Sequence, residues 1–319
     1  MIIAMSVGPA AAGVRTSWKQ TPASVRSAIE SWLGAPVVKS RTHAGGFSPG
    51  LAATLESESG RRVFVKGVGP TPNPDTPGLH RREAEVVSAL PTGLPIPTLL
   101  WRFEDADSGW VVLLFEQVDG LNPHLPWQRQ ELDRVLQMLT ELSEALTPSP
   151  IEAGPVGEKL ITRWRGWRTF AGSPDPRLEA STLRHLEELA RLEELAPAAA
   201  FGETLLHLDV RADNLLLTSD RVFLVDWPWA QVGAPWLDVL FFAPSVEMQG
   251  GPSGEELLSR MPSPPPDRAA IDAVLASFAG MLTFLSLQPP PPGLPTVRAF
   301  QAAQGDIARR WLARRRGWT

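Results

Sequence analysis

Between residues 207 and 226 the chain runs His207-Leu208-Asp209-Val210-Arg211-Ala212-Asp213-Asn214, and then an apolar Phe223-Leu224-Val225 that ends on Asp226. These types at this spacing suit phosphoryl transfer, which asks a protein for positioning and for neutralisation of phosphate charge rather than for covalent chemistry. Asp209 can accept a hydrogen bond from an acceptor hydroxyl and aim it at phosphorus. Asn214, five residues on, offers a neutral oxygen to a magnesium ion, and Asp226 offers an anionic one. Apolar residues 215–217 and 222–225 flank Thr218-Ser219-Asp220-Arg221, which predicts a tight hairpin. That hairpin would bring Asn214 and Asp226, twelve residues apart, to one hard cation. Taken singly, Asp209 and Asn214 read equally well as turn caps and Asp226 as a strand end; the chemical reading rests on the set.

The stretch resembles the catalytic core of the aminoglycoside phosphotransferase and choline kinase type of small-molecule kinases, relatives of the protein kinases, which carry His-x-Asp-x-x-x-x-Asn and then a hydrophobic residue followed by Asp. The resemblance covers Gly45 to Asp238. It implies an α+β, two-lobed protein-kinase-like fold, with a small mainly antiparallel-β N-terminal lobe and a larger mainly helical C-terminal lobe. It further implies ATP and Mg2+ as cofactors, Asp209 as the catalytic residue, Asn214 and Asp226 as metal ligands, and His207 as a brace for the catalytic loop.

An upstream set is then expected. Val63-Phe64-Val65 is an apolar strand ending in Lys66, one of four lysines in the chain, whose ammonium would contact the α- and β-phosphates. Glu83, seventeen residues later, would pair with it, with Glu85 as the competing choice. Gly45-Gly46-Phe47-Ser48-Pro49-Gly50 resembles the family's phosphate-covering turn, in which glycines let backbone N–H groups approach phosphate oxygens, so Gly46, Phe47 and Ser48 are the expected contacts. Phe115-Glu116-Gln117-Val118 falls where these kinases have the hinge that pairs with adenine, which points to Glu116 and Val118. Asp238 would anchor the catalytic-loop backbone.

The sequence departs from the family pattern at Leu208 and Asp213, where glycine is frequent, and at Trp227-Pro228, which replaces Phe-Gly and predicts a fixed metal site because proline fixes its own φ. Only eleven residues separate Asp226 from Asp238, and none is serine, threonine or tyrosine, so a phosphorylation-switched loop is absent and a small diffusible hydroxyl acceptor is favoured over a peptide. An aminoglycoside or another antibiotic fits that description. A non-catalytic nucleotide-binding module, or a kinase acting on a protein or metabolite, is the alternative.

The elements that must position these residues follow from local pattern. Residues 21–34 read as a helix with Thr21 as N-cap, Pro22 first and Gly34 as the stop. Residues 37–66 read as antiparallel strands, 79–90 as a helix and 110–117 as a buried strand. The lobes are expected to meet at 119/120, giving a nucleotide-binding lobe over 1–119 and a helical acceptor lobe over 120–319. Helices are expected over 130–146, 156–170 and 177–195. Arg163-Trp164-Arg165-Gly166-Trp167-Arg168 could stack an acceptor, or could be an amphipathic helix with core tryptophans. The proline runs at 262–266 and 289–295 read as surface loops.

Composition narrows the field. A net charge of −5 in 319 residues gives no bulk attraction for nucleic acid, and the arginines at 309–316 read as a helix end. There is no cysteine, hence neither a disulfide nor a thiolate metal site, and a cytoplasmic enzyme is expected. No unbroken apolar run of about 18 residues predicts a membrane span. Residues 1–14 read as a loose apolar tail, and a start at Met5 is compatible with it.

Overall fold

The computed structural model describes residues 8–261 and 267–318. In the first lobe β1 (Val37–Thr42), β2 (Leu51–Ser57), β3 (Arg62–Val68), β4 (Leu99–Asp105) and β5 (Trp110–Glu116) make one antiparallel sheet in the order β1-β2-β3-β5-β4. Successive side chains of a strand point to opposite faces. Val63 and Val65 of β3, with Val112 and Leu114 of β5, therefore meet α1 (Ala23–Leu33), while Phe64, Leu113 and Phe115 meet α2 (Thr76–Ala89). Both faces of β5 are covered, which is why residues 110–115 read as an unbroken apolar run. Val25 and Ile29 of α1 are fully buried, and side chains of this size contribute about 1.5–3 kcal/mol each on leaving water.

Two N-terminal expectations are corrected. Thr21 does not cap α1: its hydroxyl donates back to the Ser17 carbonyl (3.1 Å) beside a short 3-10 turn at Trp18–Gln20, and α1 begins one residue after Pro22. The segment before it is not loose where it is described. The Val14 amide donates to the Gly293 carbonyl, the Thr16 amide to Gly50, and the Gly50 amide to Val14, each at 2.9 Å. Residues 12–16 thus form a strap between the glycine turn and the second lobe. The alternative start at Met5 lies outside the described residues.

The second lobe is built from α3 (Arg129–Ala145), α4 (Val156–Thr162), α5 (Gly166–Gly172), α6 (Ala180–Arg184), α7 (Leu186–Ala199), α8 (Leu237–Met248), α9 (Gly254–Ser259), α10 (Arg268–Ser286) and α11 (Val297–Arg316). Two short ribbons, β6 (Thr204–Leu206) with β9 (Gln231–Gly233) and β7 (Leu215–Leu217) with β8 (Val222–Leu224), cross its cleft side. The architecture is the two-lobed α+β one expected.

The single helix expected over 156–170 is broken into α4 and α5. The break lets Gly166 press against α10, where a Cβ would come within 2.0 Å of the Gly280 carbonyl oxygen. The fully buried Glu193 of α7 accepts the first amides of α5, from Trp167 (3.1 Å) and Arg168 (2.9 Å). Trp164 and Trp167 are core residues, whereas Arg163 and Arg165 are exposed, so the tryptophans do not stack a ligand. The helix expected over 177–195 is likewise two, interrupted at His185, whose ring stacks on Trp318 at 4.3 Å. The proline run at 289–295 is a loop; the run at 262–266 lies outside the described residues.

Helix α10 has a mean hydropathy of 1.7 over a membrane-length window, but 67% of that window is buried, and it is the central helix between α7 and α11. The arginines toward the end of α11 are paired: Arg310 with Asp306 (2.9 Å), Arg314 with Glu247 (3.5 Å), Arg316 with Glu188 (2.5 Å) and Arg315 with Asp272 (2.6 Å). The last pair is buried, at 6% and 2% side-chain exposure. Removing one member of a buried pair strands the other charge, so Asp272→Ala is expected to destabilise the protein by about 3 kcal/mol in urea denaturation. A loss within the scatter of a surface substitution would mean that Glu255 alone neutralises Arg315.

Candidate active site

The site is assembled from the turn after β6. Asp238, in the first turn of α8, accepts the His207 amide (2.9 Å) on one carboxylate oxygen and the Leu208 amide (2.7 Å) on the other. His207 is fully buried and reaches across to the end of the hairpin. Its Nδ1 accepts the Asp209 amide (3.1 Å), so the proton sits on Nε2, which donates to the Val225 carbonyl (3.0 Å). Burial lowers its pKa, so it stays neutral and braces the loop. Among the described residues Leu208 (φ 64°) and Asp226 (φ 72°) are the non-glycine residues held in the left-handed region, which accounts for the glycine frequent at the position of Leu208 in the family it resembles.

The β7–β8 hairpin does the folding back that the sequence predicts. Asn214 and Asp226 stand at its two ends, linked by the Val225 amide donating to the Asn214 carbonyl (3.0 Å). The Asn214 side-chain nitrogen donates to the Asp209 carbonyl (2.8 Å), which turns its amide oxygen toward the cleft. Asp226 accepts Lys66 at 2.5 Å, and the same ammonium donates to Glu83 at 2.6 Å. Lys66 shares the α2 side of β3 with Phe64, and Glu83 faces it from α2; Glu85 lies one phase away and faces Arg82 at 3.9 Å.

Burial opposes the Lys66 charge, but Asp226 and Glu83 together raise its pKa and keep it an ammonium. Asp226 is held ionised by Lys66 against its own burial, while burial and the nearby Asp226 charge raise Glu83. Asp209 behaves differently. Burial, then the charges of Asp226 and Asp213, push it up to about 6 against the pull of Arg211. Arg211 bonds Asp209 and holds Asp213 through Nε (3.0 Å) and Nη2 (2.9 Å).

A cleft of about 510 Å³ opens between the lobes, lined among others by Gly46, Ser48, Lys66, Glu83, Glu116, Val118, Asn214 and Asp226. The Phe47 side chain is not among those lining the cleft: its ring packs edge-on to Phe300 of α11 at 5.2 Å and lies under Arg211 at 5.1 Å. The glycine turn differs from expectation in polarity too, since Gly45, Gly46 and Ser48 turn their carbonyls onto the Arg15 guanidinium. At the hinge, the Glu116 carboxylate is taken by Thr98 (2.8 Å), and Gln117 donates to the Val118 carbonyl (2.8 Å) while its own Oε1 is buried without a partner among the described residues.

Sequence reasoning missed four contributors. Asn122 ties the interlobe connector to the carbonyls of Ala212, Asp213 and Leu215, the last at 2.8 Å. Arg211 and Arg15 gave no local signal. Lys159 of α4 lies 4.7 Å from the Trp229 ring, its charge acts on Asp209, and burial lowers its pKa to about 8; the scarcity of lysine could have flagged it.

The sequence model of the phosphotransferase enzyme family matches residues 54–270. The chain belongs to that family. No curated protein sequence matches this phosphotransferase. Among solved structures it is similar to choline kinase LicA from Streptococcus pneumoniae, with 16% identity, a TM-score of 0.60 and coverage of 91% of this chain and 98% of the other. It is also similar to a thermostable mutant of aminoglycoside phosphotransferase APH(4)-Ia in a ternary complex with AMP-PNP and hygromycin B, with 17% identity, a TM-score of 0.59 and coverage of 90% and 98%. At these identities the likeness is one of fold.

The backbone at Leu208 yields a stability prediction for this phosphotransferase. Leu208→Ala and Leu208→Gly lose the same kind of buried side chain, but glycine relieves the left-handed strain by about 1 kcal/mol. The glycine variant should therefore melt at the higher temperature, the reverse of the usual alanine-over-glycine order; the opposite order by calorimetry would show that the turn is not strained.

Proposed function

We propose that this phosphotransferase is an ATP- and Mg2+-dependent enzyme that transfers the γ-phosphate to a hydroxyl of a small molecule. The observation that carries the proposal is the convergence of Lys66, Asn214 and Asp226 on one interlobe cleft, with Asp209 joined to Asn214 by the Asn214 side-chain amide. Asp209 orients the acceptor hydroxyl and takes its proton, and a carboxylate whose pKa is raised to about 6 is a better base near neutrality than an ordinary one. Lys66 holds phosphate oxygens, and Glu83 keeps its ammonium in place. The hinge offers the Glu116 carbonyl and the Val118 amide to adenine, because Gln117 already takes the Val118 carbonyl.

The donor set suits magnesium. Asn214 and Asp226 supply hard oxygen ligands, with the Asn214 oxygen freed by the bond of its nitrogen to Asp209. Among the described residues no cluster of three His, Cys, Asp or Glu forms a self-sufficient metal cage, which fits an ion completed by phosphate oxygens. When bound, it would neutralise charge on the phosphates.

A small acceptor is favoured by the connector between Asp226 and Asp238. Trp227, Ala230, Ala234 and Trp236 are buried and β9 is paired with β6, so no extended platform for a peptide stands beside the catalytic loop. The neighbouring APH(4)-Ia complex holds hygromycin B, and a hydroxylated antibiotic is one candidate acceptor. The absence of cysteine and the use of ATP fit a cytoplasmic enzyme.

The deciding experiment measures Mg2+-dependent ATP consumption against aminoglycosides, other hydroxylated antibiotics, choline-like alcohols and sugars. Asp209→Asn should lower acceptor-dependent turnover by roughly 10²-fold or more while leaving ATP affinity intact. Turnover that persists in the variant would remove Asp209 from the mechanism. The base works deprotonated, so kcat/KM should fall with decreasing pH below about 6, by about tenfold per unit. A flat profile down to pH 4.5 would contradict the role assigned to its carboxylate.

A further inference from the structure

Arg15 lies before the 54–270 span that matches the family, on a strap that no local pattern predicts. The strap is fixed from both sides. Ala12 bridges to Gly45 and Gly46 and exchanges hydrogen bonds with the Thr296 hydroxyl (3.2 and 3.3 Å), while Gly13 lies so close to Ser48 that a Cβ would come within 2.9 Å of its carbonyl oxygen. The Arg15 side chain is thereby directed into the cleft that Lys66 and Asp226 also line.

What it does there follows from polarity. The carbonyls of Gly45, Gly46 and Ser48 face its guanidinium. A trans peptide points its N–H opposite to its C=O, so a turn in this pose offers phosphate its repelling end. Arg15 covers those oxygens with a delocalised cation whose planar fork suits phosphate. Its Nε has no partner among the described residues, so the turn does not exhaust its donors. Arg15 lines the cleft together with Asp213 and Asp226, whose charges favour its guanidinium against the larger opposing effect of burial.

We infer that Arg15 is a phosphate ligand of the nucleotide site, converting a carbonyl-lined glycine turn into a cationic one. The inference rests on the nucleotide reading of the cleft. It assigns to the N-terminal strap a part of the site that the family match does not contain.

The test compares full-length protein with its Arg15→Gln and Arg15→Ala variants, titrated with MgATP and separately with adenosine, which has no phosphate to contact. Glutamine keeps a donor for the turn carbonyls and removes the charge, so it preserves the strap where alanine would loosen it. ATP affinity should fall about tenfold or more in Arg15→Gln, with adenosine affinity unchanged within about twofold. Equal weakening of both ligands would make Arg15 a structural tie, and undiminished ATP affinity would remove it from the site; either overturns the inference. Failure of the unaltered protein to bind ATP would overturn the nucleotide reading, and this inference with it.

Discussion

The structure depends on one buried ammonium whose two ion pairs join three elements. Lys66 comes from the sheet, Glu83 from α2 and Asp226 from the turn after the β7–β8 hairpin, and the two ion pairs measure 2.6 and 2.5 Å. Taking one partner from such a group leaves a charge in a poorly solvated place, a cost of about 3–5 kcal/mol. The pairing therefore fixes the rotation of α2 on the sheet and the distance between lobes together. It also holds Asp226 in a left-handed backbone conformation that an aspartate would otherwise leave.

The catalytic loop is tensioned from the other side. Asp238 grips its first two amides, His207 spans to Val225, and Arg211 balances Asp209 against Asp213. Arg211 also carries the Phe47 ring on its face, and Phe47 in turn rests on Phe300. The glycine turn of the first lobe is thus bolted to the catalytic loop and to α11 by an aromatic contact, while the strap ties its backbone to the Gly293 loop. The mouth of the interlobe cleft is thus framed by parts of the chain nearly 300 residues apart.

Much of this was legible because local causes are written locally. The unbroken run of β5 declares a strand covered on both faces, and the hairpin between Asn214 and Asp226 is announced by its turn residues. Glu83 could be preferred to Glu85 as the partner of Lys66 from the sequence, but what makes the pair is the phase of α2 over β3. The split of α4 from α5 was not legible, because its cause is the backbone of Gly280, more than 100 residues away. Phe47 misled for the same reason: its neighbours in sequence describe a phosphate turn, and its neighbour in space is Phe300.

The sequence by itself pointed to the phosphotransferase family, through a resemblance carried by residue types at fixed short spacings between His207 and Asp226. Tertiary structure alone decided that the glycine turn shows its carbonyls to Arg15, that the helix expected over 156–170 breaks at Gly166, and that the arginines at the end of α11 are spent on ion pairs. The physical reason is that charge and packing act through space over a few ångströms, and a chain of 319 residues brings groups that close without regard to their separation in sequence.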